Sequence, residues 1–161
     1  MKKIIYMMVA LLSLCLAGCN KLEPEKHSDM KVLVNGVGEI TKDTTIVINL
    51  AEISLSGELQ MSVHGEMKDV VDVLKVTITR SDTDRIDEFC TGSTCTICDG
   101  ETIQELEFPF KDNTSSRWYA HYYLPQDGDT DYVVSYKFSN YDKSVTLTVH
   151  YDYTPYEYIE D

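Results

Sequence analysis

The sequence predicts an all-β protein, an antiparallel sandwich of about seven short strands that follows a flexible N-terminal tether. Two observations support this fold class. Apolar and polar residues alternate along most of the chain, as they do in strands that bury one face. The composition, 43% hydrophobic and 25% charged over 161 residues, is that of one ordinary globular domain.

The alternation locates the individual strands. In chain order, six segments follow it: Ile46–Leu50, Leu59–His64, Leu74–Thr79, Trp118–Leu124, Tyr132–Phe138 and Val145–Tyr151. A seventh, shorter strand is expected over 103–110, and Pro109 places it at a sheet edge because proline cannot donate to a ladder. Residues 66–72 also fit a helical stripe, but we expect a loop there that leads into a strand at about Val73.

The charge balance excludes one class of partner. The chain has 14 basic and 27 acidic residues, a net charge of −13, and no basic stretch offsets this excess. Such a surface repels a polyanion, so we expect no nucleic-acid binding.

The first 19 residues have the pattern of an export signal. Lys2 and Lys3 precede an apolar run over 4–14, which is too short for a transmembrane helix. The following Leu16-Ala17-Gly18-Cys19 resembles the lipobox of bacterial lipoproteins. The resemblance implies cleavage before Cys19, acylation of that cysteine, and attachment of the protein to a membrane of the cell envelope through lipid.

The segment after Cys19 is polar and predicts a tether from residue 20 to about Met30. Glu23 and Glu25 resemble the acidic surface-export signals of lipoproteins from the Bacteroidota, which favours the outer membrane; its periplasmic and surface faces both remain open. The expected division of the chain is a signal peptide at 1–18, a lipidated tether with a possible edge strand at 19–43, the sandwich at 44–154 and an acidic tail at 155–161.

The segment from about Gly57 to Tyr153 resembles an immunoglobulin-like module of secreted and lipid-anchored Bacteroidota proteins. Four stretches carry the resemblance: Phe89–Cys95, Trp118–Pro125, Tyr132–Phe138 and Val145–Val149. It implies a fold and a compartment, a structural disulfide between Cys90 and Cys95, and no shared catalytic residue. The acidic turn before Tyr132 resembles a tyrosine corner, in which the hydroxyl would cap backbone just upstream.

The three remaining cysteines allow other chemistry. Cys90, Cys95 and Cys98 have the spacing of the first three ligands of plant-type [2Fe–2S] ferredoxins, but no fourth cysteine follows. Zinc would need a histidine as the fourth ligand, and none has the local spacing of a zinc site. With Cys90 paired to Cys95, Cys98 is left free or paired between molecules, and the acidic residues 99–101 after it predict an exposed thiol.

An acidic loop offers a weak calcium candidate. Asp127, Asp129 and Asp131 follow the i, i+2, i+4 spacing of calcium loops. Tyr132 stands where an EF-hand needs glycine, and Phe138 stands where it needs glutamate. Turn chemistry alone also accounts for aspartate and glycine here, so we predict no metal and no cofactor.

One strand places aromatic residues on its polar face. Tyr119, His121 and Tyr123 would project from the same side, where they could stack on sugars or on a partner protein, or pair across strands. No serine–histidine–aspartate order, phosphate loop or metalloprotease helix appears. We therefore expect a non-enzymatic binding or structural accessory of the cell envelope. The alternatives are a carbohydrate-binding lipoprotein that uses the tyrosine face, a metal or redox protein that uses the three cysteines, and a hydrolase.

Overall fold

The computed structural model describes residues 26–110, 115–124 and 131–153, and these form strands and connections without a helix. None of them therefore forms a helix that could cross a membrane. The strands are β1 (Lys31–Val34), β2 (Gly38–Ile40), β3 (Thr44–Ile48), β4 (Glu52–Ile53), β5 (Leu59–Lys68), β6 (Val73–Arg80), β7 (Asp87–Thr91), β8 (Thr94–Cys98), β9 (Ile103–Pro109), β10 (Ser116–Tyr123), β11 (Asp131–Asn140) and β12 (Lys143–Asp152).

The strands form two sheets. The larger sheet has the order β2-β1-β5-β10-β7-β8, with β4 also paired to β5. The smaller sheet has the order β3-β12-β11-β6-β9. Every pair is antiparallel except β3 and β12, which run parallel.

The strand order is that of an immunoglobulin-type sandwich. The path β1-β5-β10-β7 corresponds to the A-B-E-D sheet of such domains, and β12-β11-β6 corresponds to G-F-C. The predicted all-β, immunoglobulin-like fold class is therefore confirmed. The remaining five strands extend the edges of this seven-stranded framework, and β9, which contains Pro109, is an edge strand as predicted.

The core lies between the sheets and is rich in aromatic side chains. The alternation of the long strands directs one residue in two inward, and the largest of these inward residues are fully buried: Trp118, Tyr122, Tyr132, Tyr136, Tyr151, Phe89 and Phe138. Phe89 packs near Trp118, Tyr136 and Phe138, with ring centroids 5.5–6.1 Å apart. Aromatic packing thus connects the two sheets where antibody domains use a disulfide.

Two segments differ from the sequence prediction. Strand β5 continues to Lys68, and a turn with Asp69 and Asp72 at positive φ connects it to β6 at Val73. The segment 19–43, where a tether with a possible edge strand is expected, contains β1 and β2, and the sandwich begins before residue 44 because β1 pairs with β5 and buries Val32 and Val34. Strands β1 and β2 are too short for an alternating pattern to identify them in the sequence.

The residues just before β1 are fixed to the body of the sandwich. Lys26 contacts Asp72 at 2.6 Å, and His27 contacts Asp142 at 2.9 Å. Ser28 donates to Asn140, and Met30 is buried. The expected tether, residues 20 to about 30, is therefore attached to the domain from residue 26 onwards.

Candidate functional site

The outer face of the larger sheet brings the predicted aromatic residues together with charged neighbours. Tyr119, His121 and Tyr123 lie on β10, which runs between β5 and β7. Opposite them lie His64 and Ser62 on β5 and Glu88 on β7. We call these six residues the aromatic face; five are half-buried, and His64 is exposed.

Three rings form a row at the centre of this face. Tyr119 and His121 lie nearly parallel, with centroids 6.2 Å apart and an angle of 9° between the planes. His64 lies 6.1 Å from Tyr119 on the neighbouring strand. Cross-strand pairing therefore accounts for part of this cluster, and the ring surfaces that remain accessible are fixed in place.

His121 is part of a hydrogen-bonded chain with Ser62 and Glu52. Ser62 donates to Glu52 at 2.8 Å, and Ser62 Oγ lies 2.9 Å from Nδ1 of His121. Because the single hydroxyl proton goes to Glu52, Nδ1 of His121 is the donor to Ser62. Burial lowers the pKa of His121, and the Ser62 hydrogen bond lowers that of Glu52. A hydrolytic serine requires an adjacent base that takes its proton, and His121 does not have that role toward Ser62.

Tyr123 is positioned by Glu88. Its hydroxyl donates to the Glu88 carboxylate at 3.1 Å, and burial, followed by this carboxylate, raises the pKa of Tyr123. At neutral pH the tyrosine is therefore a neutral hydroxyl with one polar partner and a ring at the edge of the sheet.

The disulfide lies on the same side of the sheet. Cys90 and Cys95 face each other across the β7–β8 hairpin, with 4.0 Å between their Cα atoms, and are joined as the resemblance implies. Cys90 is also the register partner of Tyr119 on β10. The bridge therefore stiffens the strand that forms one border of the aromatic face.

The structure separates Cys98 from the other two cysteines. It is a free thiol with no exposed surface, directed into the core, and burial raises its pKa to about 12. The expected exposure of Cys98 is wrong, because the acidic residues after it form the turn while Cys98 itself is the inward last residue of β8. A carboxylate oxygen of Glu88 and the sulfurs of Cys90 and Cys95 lie within 4.8 Å of one another, close enough to share a metal ion, but the disulfide occupies both sulfurs.

The predicted tyrosine corner takes a different form. The buried Tyr132 hydroxyl donates to the side chain of Asp87 at 2.9 Å, not to upstream backbone. Asp87 also lies 3.5 Å from the guanidinium of Arg80, and both side chains are fully buried. Three backbone carbonyls, those of Arg85, Cys98 and Glu101, already accept from Arg80. Burial raises the pKa of Asp87 to about 6, because the hydrogen bond from Tyr132 and the nearby Arg80 guanidinium only partly offset the loss of solvation.

Several predicted positions lie outside the described residues. These are the signal peptide, the lipidation site Cys19, the tail 155–161 and two calcium candidates, Asp127 and Asp129. The third, Asp131, is the exposed first residue of β11.

An open depression borders the aromatic face. It has a volume of about 470 Å³ and is lined by Asn35, His64, Gly65, Glu66, Arg117 and Tyr119. The outer face of the smaller sheet differs in character, since serine and threonine dominate it, as at the Ser135–Thr148 contact of 2.9 Å. Among the described residues, the aromatic rings of the outer faces are concentrated on the larger sheet, where the Glu88 carboxylate lies beside them.

Sequence reasoning found the β10 residues of the face but not their neighbours. Glu88 follows a period-two pattern between the buried Asp87 and Phe89, and that pattern was the available signal. The buried Asp87 obscured this pattern, because an acidic residue in a sequence normally indicates an exposed position or a loop.

Comparisons with known proteins give similarity in structure alone. No family model and no curated protein matches the sequence. The N-terminal domain of PorA is similar over 76% of this chain and 97% of its own, with a TM-score of 0.45 and 11% identity. The collagen-binding domain of a Staphylococcus aureus adhesin matches over 66% of this chain and 99% of its own, with a TM-score of 0.35 and 7% identity.

A family 123 glycoside hydrolase from Clostridium perfringens is also similar, with a TM-score of 0.36 and 9% identity. The match covers 70% of this chain and 23% of the hydrolase. Identities of this size imply no shared activity.

Proposed function

We propose that this protein is a non-catalytic binding module, held in the cell envelope by lipid on Cys19, with the aromatic face as its ligand surface. The observation that supports it best is the cluster of half-buried rings with the Glu88 carboxylate on one face of the larger sheet, beside an open depression. Ordered aromatic side chains contribute large contact areas at low entropic cost.

Ser62, the serine beside His121 on the aromatic face, is not activated as a nucleophile, which supports a binding role. Ser62 directs its proton to Glu52, and the backbone around it takes part in ladders with β10 and β4. An acyl-transfer site needs a serine whose proton goes to a base and free N–H groups for the oxyanion. The described part of the aromatic face offers no such arrangement.

Carbohydrate is the second candidate ligand, and the rings of Tyr119, His121 and Tyr123, which project from the same face of β10, favour it. Ring faces stack on sugars, and Glu88 and Ser62 add polar groups that could bond hydroxyls. A partner protein would use the same rings as anchors, since aromatic residues dominate interface energetics.

A glycan array with the purified mature domain, followed by titration of any glycan that binds, tests the two candidates. Saturable binding that Tyr119→Ala and Tyr123→Ala each weaken by about tenfold or more would support carbohydrate as the ligand of the aromatic face. His150→Ala, on the outer face of the smaller sheet, is the matched control for His121→Ala. Binding that His150→Ala weakens as much as His121→Ala does would refute the assignment of the face.

A further inference from the structure

The end of the sandwich farthest from Lys26 exposes apolar side chains that the aromatic face does not include. Lys26 contacts Asp72, just beyond the last residue of β5, whereas the β4–β5 hairpin precedes the first. The ten residues of β5 separate the two ends by about 30 Å. With the chain tethered through its N-terminus, the hairpin end faces away from the membrane.

The β4–β5 hairpin holds a leucine at its apex. Leu55 is completely exposed, and Ile53 is 76% exposed. The turn beneath them is fixed by Ser54 N donating to Glu58 O at 2.7 Å and Glu58 N donating to Ser54 Oγ at 3.0 Å. Turn apices are usually polar, and a single exposed leucine carries little meaning alone. Leu55 is significant here because Ile53 and Leu59, which pair across the hairpin, are exposed as well.

A depression of about 540 Å³ lies beside this hairpin. Leu59 and Ile86 line it and are themselves exposed, and Tyr123 of the aromatic face lines its other side. Glu58 and Asp84 border it with negative charge, and the cationic Arg85 side chain is already paired with Asp82 at 3.2 Å. The surface therefore combines aliphatic side chains with an acidic border.

We propose that Ile53, Leu55, Leu59 and Ile86, which we call the tip surface, dock a protein partner that offers an apolar pocket bordered by lysine or arginine. Aliphatic side chains fit an apolar protein pocket, whereas sugars bind to aromatic rings and hydrogen-bonding groups. A second copy of this chain is disfavoured, because it would place two acidic borders together on molecules of net charge −13. The tip surface adjoins the aromatic face at Tyr123, which also lines the depression, but none of its four residues belongs to that face. It goes beyond the proposed function, and only its orientation rests on the lipid tether.

Site-specific photo-cross-linking in the cells that produce the protein tests this proposal. A photoreactive amino acid replaces Leu55 in the full chain, and the control replaces Val37, a half-exposed apolar residue on the β1–β2 turn. We expect position 55 to cross-link to one protein species, at a segment of net positive charge, and position 37 not to do so.

The purified partner then allows measurement of affinity with variants. Leu55→Ser should raise the dissociation constant by about tenfold or more, and Val37→Ser should leave it unchanged. Glu58→Gln combined with Asp84→Asn should weaken binding and reduce its dependence on salt. Circular dichroism of each variant confirms that the fold is retained.

Three results would overturn the proposal: no adduct at position 55, the same adducts at positions 37 and 55, or an adduct with a second copy of this chain. Tyr119→Ala is a further control, because it alters the aromatic face and should not affect cross-linking at position 55. Loss of glycan or partner binding at that face therefore leaves this test independent.

Discussion

At Gly65, the absence of a side chain allows the Trp118 ring to lie across β5 and donate to the carbonyl of Leu33 at 3.2 Å. A Cβ atom on residue 65 would lie 1.9 Å from Leu33 O and 2.8 Å from Nε1 of Trp118. The hydrogen bond satisfies the buried indole N–H and connects three strands of the larger sheet.

We predict that Gly65→Ala lowers the free energy of unfolding by about 3 kcal/mol or more, because either β1 or Trp118 must move. Chemical denaturation measures the change. Thr79→Ala, at an exposed position on β6, is the control and should cost about 1 kcal/mol or less. A similar cost for the two variants would show that the close approach at Gly65 is unimportant.

Asp87 predicts a dependence of stability on pH. Its pKa is raised to about 6 in the fold by burial, whereas an aspartate in an unfolded chain titrates near pH 3.9. Between these values the folded protein binds more protons than the unfolded chain, so this group's contribution to stability falls as pH rises.

We predict that the free energy of unfolding of the wild type, relative to Asp87→Asn, falls by about 1–3 kcal/mol between pH 4 and pH 7. Taking the difference cancels carboxylates such as Asp142, whose pKa is lowered by the hydrogen bond from His27 and whose effect has the opposite sign. Urea denaturation of both proteins across this range measures it. A difference that stays constant or grows with pH would contradict the assignment.

Among the strands, the β7–β8 hairpin has the clearest dependence on a covalent bond. Strand β8 pairs only with β7 in the described sheet, and the Cys90–Cys95 disulfide joins the two. Cys98, at the end of β8, is buried against the core. The disulfide therefore restrains β8 on the outer face of the sheet, and the packing of Cys98 restrains it on the inner face.

We predict that Cys98 reacts slowly with a thiol reagent in the native protein and at least about tenfold faster in the Cys90→Ser/Cys95→Ser variant, because β8 opens more often. Labelling followed by peptide mass spectrometry measures both rates, and Cys98→Ser identifies the labelled site. Equal rates in the two proteins would mean that the disulfide does not restrain β8.

The long strands were predictable and the short ones were not. In β11, Tyr132 to Phe138 alternates without interruption, so period two identified the strand and its buried face. In β7, Asp87 is an acidic residue at a buried position and so breaks that pattern. Its partners Arg80 and Tyr132 come from other strands and are not evident from the local sequence. The same reason limits the site: the positions of Tyr119 and His121 follow from one strand, but Glu88 and Ser62 become neighbours only through sheet order.

At the scale of the whole molecule, the two ends of the sandwich have different roles in this account. The N-terminal end is fixed by contacts of residues 26–28 with the β5–β6 and β11–β12 turns, which places the proposed lipid within reach of the domain. From Cys19 to Lys26 the chain spans at most about 25 Å. In the proposed anchored state, the aromatic face and the tip surface lie on the side and far end of a domain held close to a membrane.

Intact mass spectrometry of the protein extracted from membranes tests the central claim most directly, because the proposed function depends on anchorage in the envelope. We predict a mature chain that begins at Cys19 and carries the added mass of acyl chains on that residue. Cys19→Ala should instead give an unprocessed precursor or a protein in the soluble fraction. A wild-type mature protein with an unmodified Cys19, or one that retains residues 1–18, would contradict the account.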